Sequence, residues 1–215
     1  SKYNTRLLIM KSNGGIQDYK TSMEKPIDLI MSGPVGGVMS GIYFGNLCDR
    51  TNIITVDMGG TSFDVALIQD SIINITDGCE LEWGLPIRVP LADVKTIGAG
   101  GGSIAWIDKG GLLRVGPQSA GASPGPICYD LGGTKPTVTD ADLLLGRLNP
   151  NYFAGGTMKL NTKLCKEYVS KFAKNLDMDV YKVSQSIKQK WDFFLSSILS
   201  QYPENSFKPG EKIDA

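Results

Sequence analysis

Hydrophobic positions take three textures along this chain. Short apolar blocks run to about residue 78, strand-length fragments lie among glycine and proline to about 137, and helical stripes follow. Arg6-Leu7-Leu8-Ile9-Met10 reads as a short buried strand, stopped by the turn residues Ser12-Asn13-Gly14-Gly15. Residues 16–31 lead to Ser32-Gly33-Pro34, a turn that opens a helix over about 35–47. Gly37, Gly41 and Gly45 recur on one face of that helix. A mid-helix glycine costs roughly 1 kcal/mol, so the stripe predicts close backbone contact with a sheet, a second lobe or a ligand, packing being the simpler cause. Residues 53–68 form two apolar strands around Gly59-Gly60-Thr61-Ser62, with Phe63, Val65 and Leu67 alternating against Asp64 and Ala66, and a third strand follows near 72–75.

Residues 79–137 hold strand fragments at 87–89 and 103–107 and no clear helix. Helical character returns at Thr139, whose side chain is expected to cap while Asp142 closes a capping box. A second helix is predicted over about 162–175. In a third, Val183, Ile187, Trp191, Phe194, Leu195, Ile198 and Leu199 make one apolar face, ended by Pro203. The chain therefore divides into 1–78, a β-rich insertion at 79–137, a helical remainder at 138–202 and a polar tail at 203–215. The fold class is α/β.

Charge narrows the function. Lys+Arg and Asp+Glu both number 22, which gives no electrostatic case for nucleic acid or an anionic membrane. No apolar run reaches the ~20 residues that span a bilayer. Ser1-Lys2-Tyr3-Asn4 starts no signal peptide, so a cytoplasmic protein is expected. Cys48, Cys79, Cys128 and Cys165 form no C-x-x-C pair and read as reduced, mostly buried thiols. The absence of histidine removes Ser-His-Asp, Cys-His and His-metal chemistry together, leaving acid–base work to other groups and any metal to oxygen ligands.

Against that background the segment around Asp57 carries the strongest chemical signal. Two adjacent glycines let a backbone approach a bulky anion and aim N–H groups at it. Thr61 and Ser62 add hydroxyl donors, and Asp57 at the strand end can hold the water shell of Mg²⁺. A plain hairpin with a glycine turn is the alternative. A strand follows the turn where a Rossmann loop or P-loop would open a helix, and a strand-end carboxylate is costly to leave idle.

Three further stretches stay open. Gly98-Ala99-Gly100-Gly101-Gly102-Ser103 exposes backbone, either to a phosphate, substrate or neighbouring chain, or because two chain segments cross tightly. The run from Gln118 to Pro126 lines a pocket or is a surface loop. Asp140, left over by the expected cap, is a metal ligand or a first-turn acid favoured by the helix dipole.

The motifs occur in a recognisable order: Ser12-Asn13-Gly14-Gly15, Ser32-Gly33-Pro34-Val35-Gly36-Gly37, Asp57-Met58-Gly59-Gly60-Thr61-Ser62-Phe63-Asp64-Val65, the stretch 96–105, 115–122, Pro124-Gly125-Pro126-Ile127-Cys128-Tyr129, and 132–141 ending Thr137-Val138-Thr139-Asp140-Ala141, then Leu145-Gly146-Arg147-Leu148. From about residue 6 to 160 this closely resembles the hydantoinase A/oxoprolinase family, and the Asp57 segment resembles a phosphate hairpin of the actin-like ATPases. The resemblance implies a ribonuclease H-like lobe of the actin-like ATPase fold and an ATP-dependent enzyme. Such enzymes open cyclic amides or, in a sister branch, carboxylate ketones such as acetone and acetophenone.

By position, Asp57 would act in catalysis and hold Mg²⁺. With it Gly59, Gly60, Thr61 and Ser62 would hold ATP phosphates, with Gly100 and Gly101 as further candidates and Asp140 as a second metal candidate. Asp64, one step past the turn, is left out because it can face away. The resemblance also implies a B-type subunit or domain as partner. An N-terminal lobe with its own Asp-x-Gly-Gly-Thr and a later Gly-Gly-Ala-Gly-Pro stretch have no counterpart here, and Asp130-Leu131 stand where family members show Gly-Arg. The chain therefore reads as a middle piece, with little activity and at most weak nucleotide binding alone. A non-catalytic actin-like nucleotide module remains the competing class.

Overall fold

The computed structural model describes residues 6–80 and 86–199. It is a mixed α/β structure in two compact units. The first comprises residues 6–57 and Asp64–Thr96, the second Met58–Phe63 and residues 97–199.

In the first unit, β1 (Leu8–Met10) pairs antiparallel with β2 (Ile16–Asp18) across the predicted Asn-Gly-Gly turn, Ile9 opposite Gln17. The second strand and the short helix after it, α1 (Tyr19–Glu24), are absent from the pattern reading. Asp18 nucleates that helix by accepting from the Lys20 and Thr21 amides. Buried Ser12 ties the turn inward, its hydroxyl donating to the Asp28 carbonyl at 2.7 Å and accepting from the Met31 amide.

Helix α2 (Ser32–Leu47) begins three residues earlier than predicted. Its Gly41 faces Thr55 and Ile68, and its Gly45 faces Ile53 and the Arg50 carbonyl, so closely that a Cβ would collide at either. Gly37 faces open space. Two of the three stripe glycines thus seat the helix on the sheet.

That sheet contains β3 (Ile53–Met58), β4 (Phe63–Gln69) and β5 (Ile72–Ile73), followed by the two-residue strands β6 (Ile75–Thr76), β7 (Cys79–Glu80), β8 (Pro86–Ile87) and β9 (Leu91–Ala92), which pair outside it, and by β10 (Val94–Ile97), which rejoins it. The order is β10-β4-β3, with β5 also on β4. Phe63, Val65, Ala66, Leu67 and Ile68 are all buried, so the predicted alternation gives way to a strand covered on both faces. Val38, Ala66 and Ile68 centre the core, with Ile42, Ile53, Ile73 and Val94 around them.

The second unit is a hairpin on three helices. β11 (Ser103–Ile107) pairs antiparallel with β12 (Leu113–Ser119), with a bulge between Ser103 and Ala105. α3 (Val138–Leu144), α4 (Thr162–Lys174) and α5 (Val180–Leu199) pack on one another. Four-residue spacing buries Cys165, Val169 and Ala173 of α4 and Val183, Ile187 and Trp191 of α5. The side chains of Phe194, Leu195, Ile198 and Leu199, and the expected stop at Pro203, lie outside the described residues.

Candidate functional site

The bend between β3 and β4 belongs to the second unit. The Gly59 amide donates to the Ser62 carbonyl at 2.9 Å and closes the turn. Both glycine carbonyls of the bend are pinned from the other side. The Gly101 amide donates to the Gly59 oxygen at 2.9 Å and the Gly102 amide to the Gly60 oxygen at 2.6 Å, with the Ser119 hydroxyl 3.4 Å from the latter.

A trans peptide holds its C=O and N–H on opposite edges of one plane. Pinning those two carbonyls toward the glycine loop therefore aims the Gly60 and Thr61 amides away from it. Neither amide, nor that of Ser62, has a protein acceptor among the described residues, and neither have the Thr61 and Ser62 hydroxyls. Gly59, Gly60 and Thr61 are exposed, and a Cβ on Gly60 would meet nothing within 4 Å.

The same bonds explain the glycines at 100–102. A Cβ on Gly100 would lie 2.5 Å from the Gly59 oxygen, one on Gly101 2.5 Å from the Thr139 hydroxyl, and one on Gly102 2.7 Å from the Gly60 oxygen. The loop is a tight crossing, one of its two sequence readings, and the Gly101 amide is already engaged by the bend. The Gly101 carbonyl in turn accepts from the Thr139 amide, an otherwise orphaned donor in the first turn of α3.

Trp191 completes this support: its indole N–H donates to the Ala99 carbonyl at 3.0 Å and its ring meets Phe63 edge to face at 5.4 Å. The α5 pattern marks Trp191 as core, but no local signal ties it to the two ends it holds.

In the first unit, Asp57 is exposed at the end of β3 and lines a small cavity of about 170 Å³ with Pro34, Gly37, Thr55 and Asp64. Asp64 accepts from the Thr96 hydroxyl at 2.6 Å.

Asp140 requires a correction. The cap of α3 is Thr137 rather than Thr139, and Asp140 rather than Asp142 closes the capping box. The fully buried Asp140 carboxylate accepts from the Ile127, Cys128 and Thr137 amides and from the Thr137 hydroxyl, at 2.8–3.2 Å. With both oxygens so engaged it staples the 127–128 turn to α3 and is not available to a metal. Among the described residues no group of three or more His, Cys, Asp or Glu could hold a metal by itself. Burial and the Asp140 charge push the neighbouring Cys128 and Cys165 thiols far up, so both are inert. Cys48 is exposed and Cys79 half-buried, so two of the four thiols are buried.

Comparison with known proteins decides the family. The profile described as Hydantoinase/oxoprolinase matches residues 1–202. The chain belongs to the hydantoinase/oxoprolinase family. Within it, the chain is 39% identical over 203 residues to the acetophenone carboxylase gamma subunit of Aromatoleum aromaticum, covering 93% of this chain and 27% of that one. It is 42% identical over 178 residues to the caprolactamase subunit alpha of Pseudomonas jessenii, covering 82% and 25%.

The crystal structure of that ATP-dependent caprolactamase superposes with a TM-score of 0.76 at 36% identity over 96% of this chain and 30% of that one. A nucleotide-free acetone carboxylase superposes with 0.79 at 31% identity over 94% and 29%. The chain thus spans less than a third of the length of these family members, two of which are named as subunits. No described helix is long and apolar enough to cross a membrane.

Proposed function

We propose that this chain forms one side of the ATP phosphate site of a ribonuclease H-like lobe, in an ATP-dependent hydrolase of cyclic amides of the hydantoinase/5-oxoprolinase type. One observation carries the reading: the carbonyls of Gly59 and Gly60 are bonded to the glycine loop, which leaves the Gly60 and Thr61 amides and two hydroxyls without a protein partner among the described residues, in a bend where Gly59 and Gly60 carry no Cβ. Such a cradle fits a phosphate group. Asp57, Gly59, Gly60, Thr61 and Ser62 would hold it. Gly100 and Gly101 act here by shaping the bend.

A single exposed carboxylate at Asp57 suits Mg²⁺, which keeps several waters and takes most other ligands from phosphate. When bound, Mg-ATP supplies phosphoryl chemistry to activate a poorly reactive oxygen. The protein's part is to orient the phosphates through fixed dipoles.

A B-type subunit or domain is the partner this reading implies, and the substrate is a small cyclic amide. The second reading, a subunit of a ketone carboxylase, is favoured by the likeness to the acetophenone carboxylase subunit over 93% of this chain. Phosphate release from an enzyme of the relatives' full length containing this segment separates the readings. Stimulation by hydantoin or 5-oxoproline and not by acetone is expected. Turnover indifferent to every cyclic amide and ketone would point instead to a non-catalytic nucleotide module. In that enzyme Asp57→Ala should abolish hydrolysis and leave the fold; unchanged turnover refutes its role.

A further inference from the structure

One buried side chain touches both the bend and the loop that clamps it. Trp191 lies on α5, 92 residues beyond Ala99, and is 3% exposed. Its indole N–H donates to the Ala99 carbonyl at the start of the glycine loop. Its ring meets Phe63, the first residue after the bend, edge to face at 84°. Lys188, one turn earlier on α5, holds its ammonium 3.8 Å from the ring centroid and is itself tied to Asp192 at 2.8 Å. Three contacts therefore fix the indole, and all of these residues belong to the second unit.

What the indole touches is what sets the bend. From Ala99 the chain runs directly to Gly101 and Gly102, whose amides hold the Gly59 and Gly60 carbonyls. Residues 100–102 have no side chain to anchor them, and glycine has the most backbone freedom to lose. The loop is placed instead through its carbonyls: the Thr139 amide holds that of Gly101, the Ala120 amide that of Gly102, and the Trp191 indole that of Ala99. Of these three donors only the last is a side chain. Fixed dipoles bind charge best when they are already aimed, so a contact that secures both ends of the clamp adds to affinity without touching the ligand.

We propose that Trp191 is a positioning residue for the bend: its indole N–H and ring hold loop and bend in the arrangement that aims the Gly60 and Thr61 amides at phosphate, and α5 thereby sets nucleotide affinity. The proposal rests on the reading of the bend given above and extends it to a buried residue far along the chain. Coupling of this kind is reciprocal. Nucleotide on the bend tightens the indole bond to Ala99 by the same factor by which that bond tightens nucleotide.

The test is NMR of the backbone amides and indole N–H groups of the isotope-labelled chain, titrated with Mg-ATP. In the wild type, nucleotide should slow solvent exchange of the Trp191 indole N–H by about threefold to tenfold, the range set by one hydrogen bond. The Trp106 indole, bonded instead to the Gly116 carbonyl, should not respond. Trp191→Phe keeps an aromatic ring and loses the donor. It should bind Mg-ATP about threefold to tenfold more weakly and speed exchange at the Gly101 and Gly102 amides. Ile187→Val, a truncation of a buried residue one turn away on the same helix, is the control and should leave affinity and those two amides unchanged, which separates positioning from core filling. If Trp191→Phe does not fold, the wild-type indole measurement decides alone. An indole indifferent to nucleotide, or Trp191→Phe matching the control in affinity, overturns the proposal. The two failures are distinguishable: shifts at residues 60–62 with an unresponsive Trp191 sink this proposal alone, and no shifts at 60–62 sink the reading of the bend and this proposal with it.

Discussion

Replacing Gly100 by alanine drives a methyl group into the bend. The added carbon would lie 2.5 Å from the Gly59 oxygen, 2.7 Å from the Gly60 carbonyl carbon and 2.8 Å from the Gly60 oxygen. All three are backbone atoms, so no change of rotamer relieves the clash. Loop and bend must separate, which strains the bonds from Gly101 to Gly59 and from Gly102 to Gly60. Overpacking of this kind costs about 1–3 kcal/mol, and each weakened hydrogen bond up to about 1 kcal/mol more. The variant should therefore lose about 1–5 kcal/mol in the second unit. Gly98→Ala is the control, since its Cβ would meet nothing within 4 Å, and it should fall within about 1 kcal/mol of wild type. Urea unfolding followed by tryptophan fluorescence is the assay, because buried Trp191 hydrogen-bonds Ala99 at the start of this loop. Equal stability of Gly100→Ala and Gly98→Ala would refute the argument that the loop is glycine-rich because it clamps the bend.

Three other outcomes follow from the same geometry. Asp140→Ala leaves three buried amides and the Thr137 hydroxyl without their acceptor and should cost about 3–5 kcal/mol or abolish soluble expression; stability unchanged in a denaturant titration would contradict its structural role. Thiol labelling of the native chain should reach exposed Cys48 first and spare Cys128 and Cys165 until denaturant is added, and rapid modification of either buried thiol would count against the described packing. Because burial raises Asp142 in the folded state, the fold binds that proton more tightly than the unfolded chain does. Its contribution to stability therefore falls as pH rises through the carboxylate range, around 4. Wild-type stability relative to Asp142→Asn should decline from acid to neutral pH, and a pH-independent difference would contradict the burial.

Periodicity and turn chemistry made the long elements legible: α2, α4, α5, the β3–β4 pair and the turn at Gly14 all announce themselves within a dozen residues. The cap of α3 is ambiguous in the sequence because Thr137 and Thr139 both precede an acid by three residues, and only burial of Asp140 tells which pair closes. Helix α1 is not legible in the sequence because six residues carry too little pattern, its start depending on one Asp18 side chain. The short strands β6 to β9 are set by partners 6 to 17 residues away rather than by local preference. At the candidate site, the sequence marks the glycines but not what they touch. That Gly101 and Gly102 spend their amides on the carbonyls of Gly59 and Gly60, some 40 residues earlier, is a long-range fact. So is the reach of Trp191 to Ala99 and Phe63.

The glycine loop turns the Gly60 and Thr61 amides outward, and backbone NMR of the chain with increasing Mg-ATP shows whether they meet phosphate as proposed. Weak, millimolar binding is expected, with the largest shifts at Gly60, Thr61 and Ser62 and small ones at Gly101 and Gly102, whose amides are already bonded. Shifts that leave residues 60–62 untouched, or no response at millimolar nucleotide, would contradict it.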